Sequence, residues 1–298
     1  MSNDQTFKDL LHAFFKEFFD LFFPDVSSRL DFSTVSFVEQ ELFTDIPEGK
    51  RRIIDVVASV HTLDGQPEIV LVHVEVEADP NDAFPERMYK YHMLLRLRRN
   101  LPVLPIAIFL SRGAGGLVTE QYVDRVFDRN VNVFSYDVVA LRDLDADDYL
   151  DLPNPLAPAL SALMRPSKMG KVAQKFRSLL ALARSGANDA QMVLLTNVVE
   201  TYLKLNRRDT AKFEKLLSKP ENREVEMVIS VYEERGIEKG LMRGERKTLI
   251  LQMEHKFGTL SENVRASIQN IENIDELDRL LRLVLTAQSI EEMGLRID

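Results

Sequence analysis

The stretch Arg51–Ala78, RRIIDVVASVHTLDGQPEIVLVHVEVEA, constrains the fold most, because it sets acidic residues into two apolar, β-branched runs. Asp64-Gly65 is a turn signal between the runs, since glycine accepts the positive φ that tight turns need. Side chains on a strand alternate between faces. Val70, Val72, Val74 and Val76 therefore form one unbroken apolar face, while Ile69, Leu71, His73, Glu75 and Glu77 form another that begins apolar and ends acidic. On the first run Ile54, Val56, Ala58 and Val60 share a face, which leaves Asp55 opposite with Val57 and Ser59. A hairpin closing around Gly65 puts Asp55 across from Glu75. Like charges directly opposed destabilise a sheet, so Asp55, Glu75 and Glu77 together call for a cation. Mg²⁺ suits such a site, as it takes one or two carboxylates and keeps several waters. The plainer reading of the same residues is a strand end whose acids are solvated.

The remaining elements say what surrounds this hairpin. Asp4–Phe23 repeats Phe7, Leu10, Leu11, Phe14, Phe15, Phe18, Leu21 and Phe22 at helical spacing, which predicts an amphipathic helix with its phenylalanines in the core. A strand over about 31–38, or two short ones, is expected within 29–43, and a turn or loop from Asp45 to Gly49. After the hairpin, Asp79–Asp82 reads as a loop and cap before a helix over Phe84–Arg99, with Pro85 tolerated in its first turn. That helix carries Arg87, Lys90 and Tyr91. Leaving the acidic end of a strand, its first turns lie beside the acids, where Arg87 or Lys90 could contact a phosphate or balance the carboxylates. The apolar run 102–110 predicts a buried strand, residues 117–129 a weak helix, and Val131–Tyr136 a further strand. The fold class is therefore α/β (α+β): a mixed sheet flanked by helices, followed by an all-α C-terminal region.

This ordered set resembles the PD-(D/E)XK nuclease fold, and within it the recombination-promoting nuclease family, whose members are also described as transposase-like. The resemblance covers roughly residues 4–140. It rests on Asp55 in the first hairpin strand, VHVEVE with Glu75 in the second, the Arg87-x-x-x-Tyr91 helix, the opening helix with Phe7-Lys8, and the LPIAIFL strand. It implies a restriction-endonuclease-like sheet and Mg²⁺-dependent hydrolysis of DNA phosphodiesters in recombination or transposition, with Mn²⁺ as a substitute ion. Asp55 and Glu75 would hold the metal, with Glu77 as the third catalytic position and Arg87, Lys90 and Tyr91 nearby. The wider fold carries Lys at the third position and this family Gln. A Glu there can ligate or accept a proton, but cannot donate to phosphate. An inactive nuclease fold used for binding or assembly is the alternative, and a hydrolase acting on other substrates is a third reading.

Charge bears on the partner. The chain of 298 residues has a formal net charge of −9, concentrated in its first 165 residues, and non-specific DNA affinity comes mostly from neutralising phosphates. DNA binding therefore needs a local basic patch as well as a metal. No cysteine is present, which excludes disulfides and thiolate metal sites. The first residues lack a signal-peptide layout and no apolar run spans a bilayer, so a cytoplasmic protein without a membrane partner is expected.

Domain organisation is read as a nuclease-like domain over 1–150, a proline-rich linker over 151–166, a helical region over 167–235, and a glycine-repeat helix with a small helical domain over 236–298. Helices are expected at about 168–184, 187–205, 208–217 and from 221. Gly236, Gly240 and Gly244 recur every four residues, which suits either close approach of another helix or a loosened hinge. Homo-oligomers formed through these helices are an expectation, and a helical domain like the last sixty residues often follows members of the same family.

Overall fold

The structure, a computed structural model, describes residues 3–38, 42–44, 51–53, 55–66, 68–78, 80–111 and 115–295. It is mixed α/β, as the element pattern predicts. The chain divides into two compact units, residues 1–229 and 230–298. Among the described residues no helix is long and apolar enough to cross a membrane.

The first unit opens with helices α1 (Asn3–Ala13), α2 (Phe15–Phe22) and α3 (Pro24–Ser27). The single opening helix expected from the phenylalanine spacing is thus broken. Phe14 leaves helical geometry with φ −132° and ψ 37°, although its amide still bonds to Leu10 O and its carbonyl to Phe18 N. Strands β1 (Leu30–Phe37), β4 (Val56–Thr62) and β5 (Ile69–Glu77) follow, while β2 (Leu42–Thr44) and β3 (Arg51–Ile53) pair separately with each other. Helix α4 (Phe84–Arg99) then crosses to β6 (Val103–Phe109), and the strand pair β7 (Leu117–Val126) and β8 (Arg129–Ala140) completes the sheet. The strand order is β1-β4-β5-β6-β8-β7. Strands β5, β6 and β8 run parallel, and the flanking pairings are antiparallel.

The hairpin closes as its sequence dictates. Gly65 takes φ +66°, and Val56 pairs with Val74 and Val60 with Val70. This register continues to Asp55 opposite Glu75. The expected first strand differs at its start: β4 begins at Val56, so Asp55 stands just before it, and Ile54 lies outside the described residues. One face of the hairpin (Val56, Ala58, Val60, Val72, Val74) is buried under Phe7, Phe14, Phe15, Phe18 and Phe19 in one large core. Each such side chain contributes about 1.5–3 kcal/mol on burial. The other face is covered by α4, where Tyr91 and Leu95 meet Val57, and Phe84 and Met88 meet Phe109 and Tyr136. Helix α4 ends where Asn100 adopts left-handed φ 51° and its amide caps Arg96 O.

Two sequence expectations change. Residues 117–126 are a strand, not a weak helix. Val118, Thr119, Val123 and Val126 are β-branched, and the whole length pairs with β8 around a two-residue turn at Phe127-Asp128, with φ +53° at Phe127. The proline-dense stretch is no linker. Following α5 (Ala146–Tyr149), it forms α6 (Leu156–Leu160) and a 3-10 turn, and Leu156, Ala159, Leu160, Leu163 and Met164 are buried in the first core. The proline Pro155 stands at the N-cap of α6, a position that needs little from a backbone amide. The unit continues with α7 (Lys171–Ala183), α8 (Asp189–Tyr202), α9 (Arg207–Leu217) and the start of α10 (Arg223–Phe257).

The second unit holds the rest of α10, α11 (Glu262–Gln269) and α12 (Ile274–Thr286). Its core gathers Leu249, Met253, Val264, Ile268, Leu277, Leu280 and Val284. Gly236, Gly240 and Gly244 lie inside continuous helix, and a Cβ added to any of them would meet nothing within 4 Å. Within this chain the space beside them is open, and as glycines they lower helix propensity. Gly240→Ala should therefore stabilise the helix by about 0.5–1 kcal/mol, read as a rise in helical ellipticity and melting temperature; a loss on either measure would show that the glycine has another role.

Candidate active site

The acids meet at the open end of the β4–β5 hairpin. The Asp55 amide donates to Glu75 Oε1 at 3.2 Å, and the Val76 amide donates to Asp55 Oδ2 at 2.9 Å. A main-chain and side-chain lattice thus fixes the two carboxylates against each other. Glu75 is buried at 6% exposure, and its Oε1 also receives His73 Nε2 at 2.9 Å. An ionised carboxylate only accepts, so Nε2 carries the proton. That leaves His73 Nδ1 buried and without a partner among the described residues. The Tyr91 ring stands edge-on to His73 at 6.0 Å.

The compensating cation for Asp55 comes from the opposite layer. Lys8 on α1 places Nζ 2.9 Å from Asp55 Oδ1, with both side chains about nine-tenths buried. In the sequence expectations Lys8 belongs only to the opening helix. Its signal was there: Lys8, Leu11 and Phe15 lie at helical spacing, so the lysine sits on an apolar face. A charge in that position needs a buried partner.

Glu77 does not join Asp55 and Glu75. It pairs with Arg87, whose guanidinium also lies 5.0 Å over the Phe84 ring. Lys90 pairs with Glu86 one turn back, at 3.0 Å on the exposed side of α4. Tyr91 is buried against Val57 and Leu95. The expected meeting of three carboxylates is thus a meeting of two, and among the described residues no three Asp, Glu or His side chains gather suitably for a metal ion. Two carboxylates plus waters still form a donor set that Mg²⁺ accepts. Glu75 Oε2 makes no hydrogen bond to the described residues, while both Asp55 oxygens already accept one. An incoming cation would therefore compete with Lys8.

Comparison with protein-family models, characterised proteins and solved structures finds no significant match.

Two expectations follow from this geometry. Lys8→Met strands a buried carboxylate and should cost about 3 kcal/mol, whereas Lys8→Met combined with Asp55→Asn should recover much of that loss. Urea unfolding of the four proteins measures the coupling, and additive losses would dissolve the pair. His92 on α4 lies against Phe134 with a ring separation of 4.8 Å. Burial, helped by His73 and Arg96, lowers its pKa from the ordinary 6.5. The unfolded chain then binds the proton first, so this contribution is complete above pH 6.5 and is lost as pH falls through the folded value. His92→Phe should flatten the decline in stability below that pH, as followed by melts across a pH series.

Proposed function

We propose that the first unit is a Mg²⁺-dependent endodeoxyribonuclease, with recombination or transposition as the setting that the sequence resemblance implies. The observation that carries this reading is the buried Glu75 carboxylate accepting from the Asp55 amide, with the Asp55 carboxylate accepting from the Val76 amide beside it, at the end of a hairpin. In this reading Asp55 and Glu75 hold the ion. When bound, Mg²⁺ supplies an acidified water and neutralises charge developing on the phosphate.

The chain's own groups have separate tasks. His73 Nε2 keeps Glu75 Oε1 fixed, and Glu75 Oε2 would be the oxygen available to hold the ion. Lys8, beside Asp55, would serve as the donor to phosphate that Glu77 cannot be. Arg87 neutralises Glu77 and so limits the repulsion that a substrate phosphate would meet at this end of the sheet.

A second reading has an observation of its own. Lys8 already compensates Asp55, and Arg87 already compensates Glu77, so two of the three carboxylates are matched by the protein's own cations without a metal. That is the condition expected of a nuclease-like fold used only for binding or assembly.

Supercoiled plasmid incubated with the intact protein separates the two. Nicking should appear with Mg²⁺ or Mn²⁺, vanish with chelator, and fall at least about 100-fold in Glu75→Gln. Nicking that persists in Glu75→Gln, or no nicking with either ion, would overturn the catalytic reading.

A further inference from the structure

A cavity of about 640 Å³ opens in the first unit where the parallel strands end. Its wall includes Leu110 and Ser111, which follow β6, and Arg142, which follows β8. The Leu110 amide bonds to Glu77 O at 3.1 Å, which ties the cavity to the end of β5 as well. The carboxyl ends of parallel strands are where open α/β sheets place their ligands.

The lining is cationic on one side and apolar on the other. Arg142, Arg165 and Lys171 come from three different segments, and none of them has an ion-pair partner among the described residues. Among the described residues, Arg142 is held by a bond from Nη1 to Ser111 O at 2.9 Å. Asp143, the single acidic residue among the described lining residues, is engaged through Oδ2 by the Gly115 amide at 2.7 Å. Among those described residues, three cations and one carboxylate give a net charge of +2. Lys171 also begins α7, whose N-cap Gly170 offers no side-chain cap, so the helix dipole adds to the positive field. Leu163, Met164 and Leu203 form the apolar wall, and Gln174 is locked as a strut between Ser161 O and the Ser167 amide. Tyr202 supplies the remaining feature: its Oη is buried and lacks a hydrogen-bond partner among the described residues. Burial raises its pKa above the ordinary 10, so the group stays an O–H donor at neutral pH.

We infer that this cavity binds a phosphomonoester carried on a ring-bearing body the size of a nucleoside monophosphate. A phosphomonoester brings a charge of about −1.5 to −2, which matches the lining. The volume lies within the roughly 300–1,000 Å³ range of small-molecule sites, and the apolar wall gives the ring its surface. The phosphate could belong to a free nucleotide or to the 5′ end of a nucleic-acid strand, since both present the same group.

Isothermal titration of the full chain in chelator tests this without reference to nicking. The probes are AMP, inorganic phosphate, adenosine, and a short oligothymidylate with and without its 5′-phosphate. AMP should bind saturably, adenosine at least about tenfold more weakly, and the affinity should fall with salt. Arg165→Ala and Lys171→Ala should each weaken AMP roughly tenfold, and Tyr202→Phe should weaken it severalfold. Both cations are exposed, and unchanged circular-dichroism melts would show that the variants fold. Binding of the 5′-phosphorylated strand in place of AMP assigns the phosphate to a nucleic-acid end, and preference for AMP assigns it to a free nucleotide. No saturable binding of any phosphate probe up to about 10 mM, or binding indifferent to both cation removals, overturns the inference. Glu75→Gln should leave these affinities unchanged, so a failed nuclease assay and a failed titration are separate results.

Discussion

The packing of phenylalanines onto a valine-faced hairpin is the contact from which the first unit is built. Phe7, Phe14, Phe15, Phe18 and Phe19 cover Val56, Ala58, Val60, Val72 and Val74, and the same core continues to Ile106, Ile108 and Val139. Because a one-residue slip would turn every side chain over, this burial fixes the register of β4 on β5. The register in turn decides what happens on the far face. It brings Asp55 to Glu75 and His73 to Tyr91. Apolar burial on one side of the sheet thus places the charged chemistry on the other.

Burying those acids creates an electrostatic demand, and the fold meets it locally. Asp55 receives Lys8 and the Val76 amide, Glu75 receives His73 and the Asp55 amide, and Glu77 receives Arg87. Removing one partner of such a set is more damaging than never having built it. Lys8 on Asp55 and Arg87 on Glu77 are protein cations, whereas Glu75 is held by His73 and the Asp55 amide alone.

The cavity at the strand ends has the opposite character. There, Arg142, Arg165 and Lys171 stand without acidic partners among the described residues, beside a buried phenol. An acidic chain therefore contains a compact basic pocket at the end of its sheet. The segment 150–166 makes this possible. Folded into the core through Leu156, Leu160 and Leu163, it delivers Arg165 to the cavity rim. A linker could not hold a guanidinium in place.

Much of this was legible in the residues themselves. Alternation and the Asp-Gly turn determined the hairpin, its register and the opposition of Asp55 to Glu75; the run from Phe84 to Arg99 determined α4; and the leucine spacing determined the C-terminal helices. Those features are local, since turn chemistry and periodicity act within a few residues. Tertiary structure alone decided the rest. It made 117–126 a strand by offering β8 as a partner, drew the proline-rich stretch into the core, turned Glu77 toward Arg87, and brought Lys8 to Asp55 across 47 positions of sequence. Such choices depend on which groups meet once the chain has collapsed, because the energy of a buried charge is set by its neighbours in space.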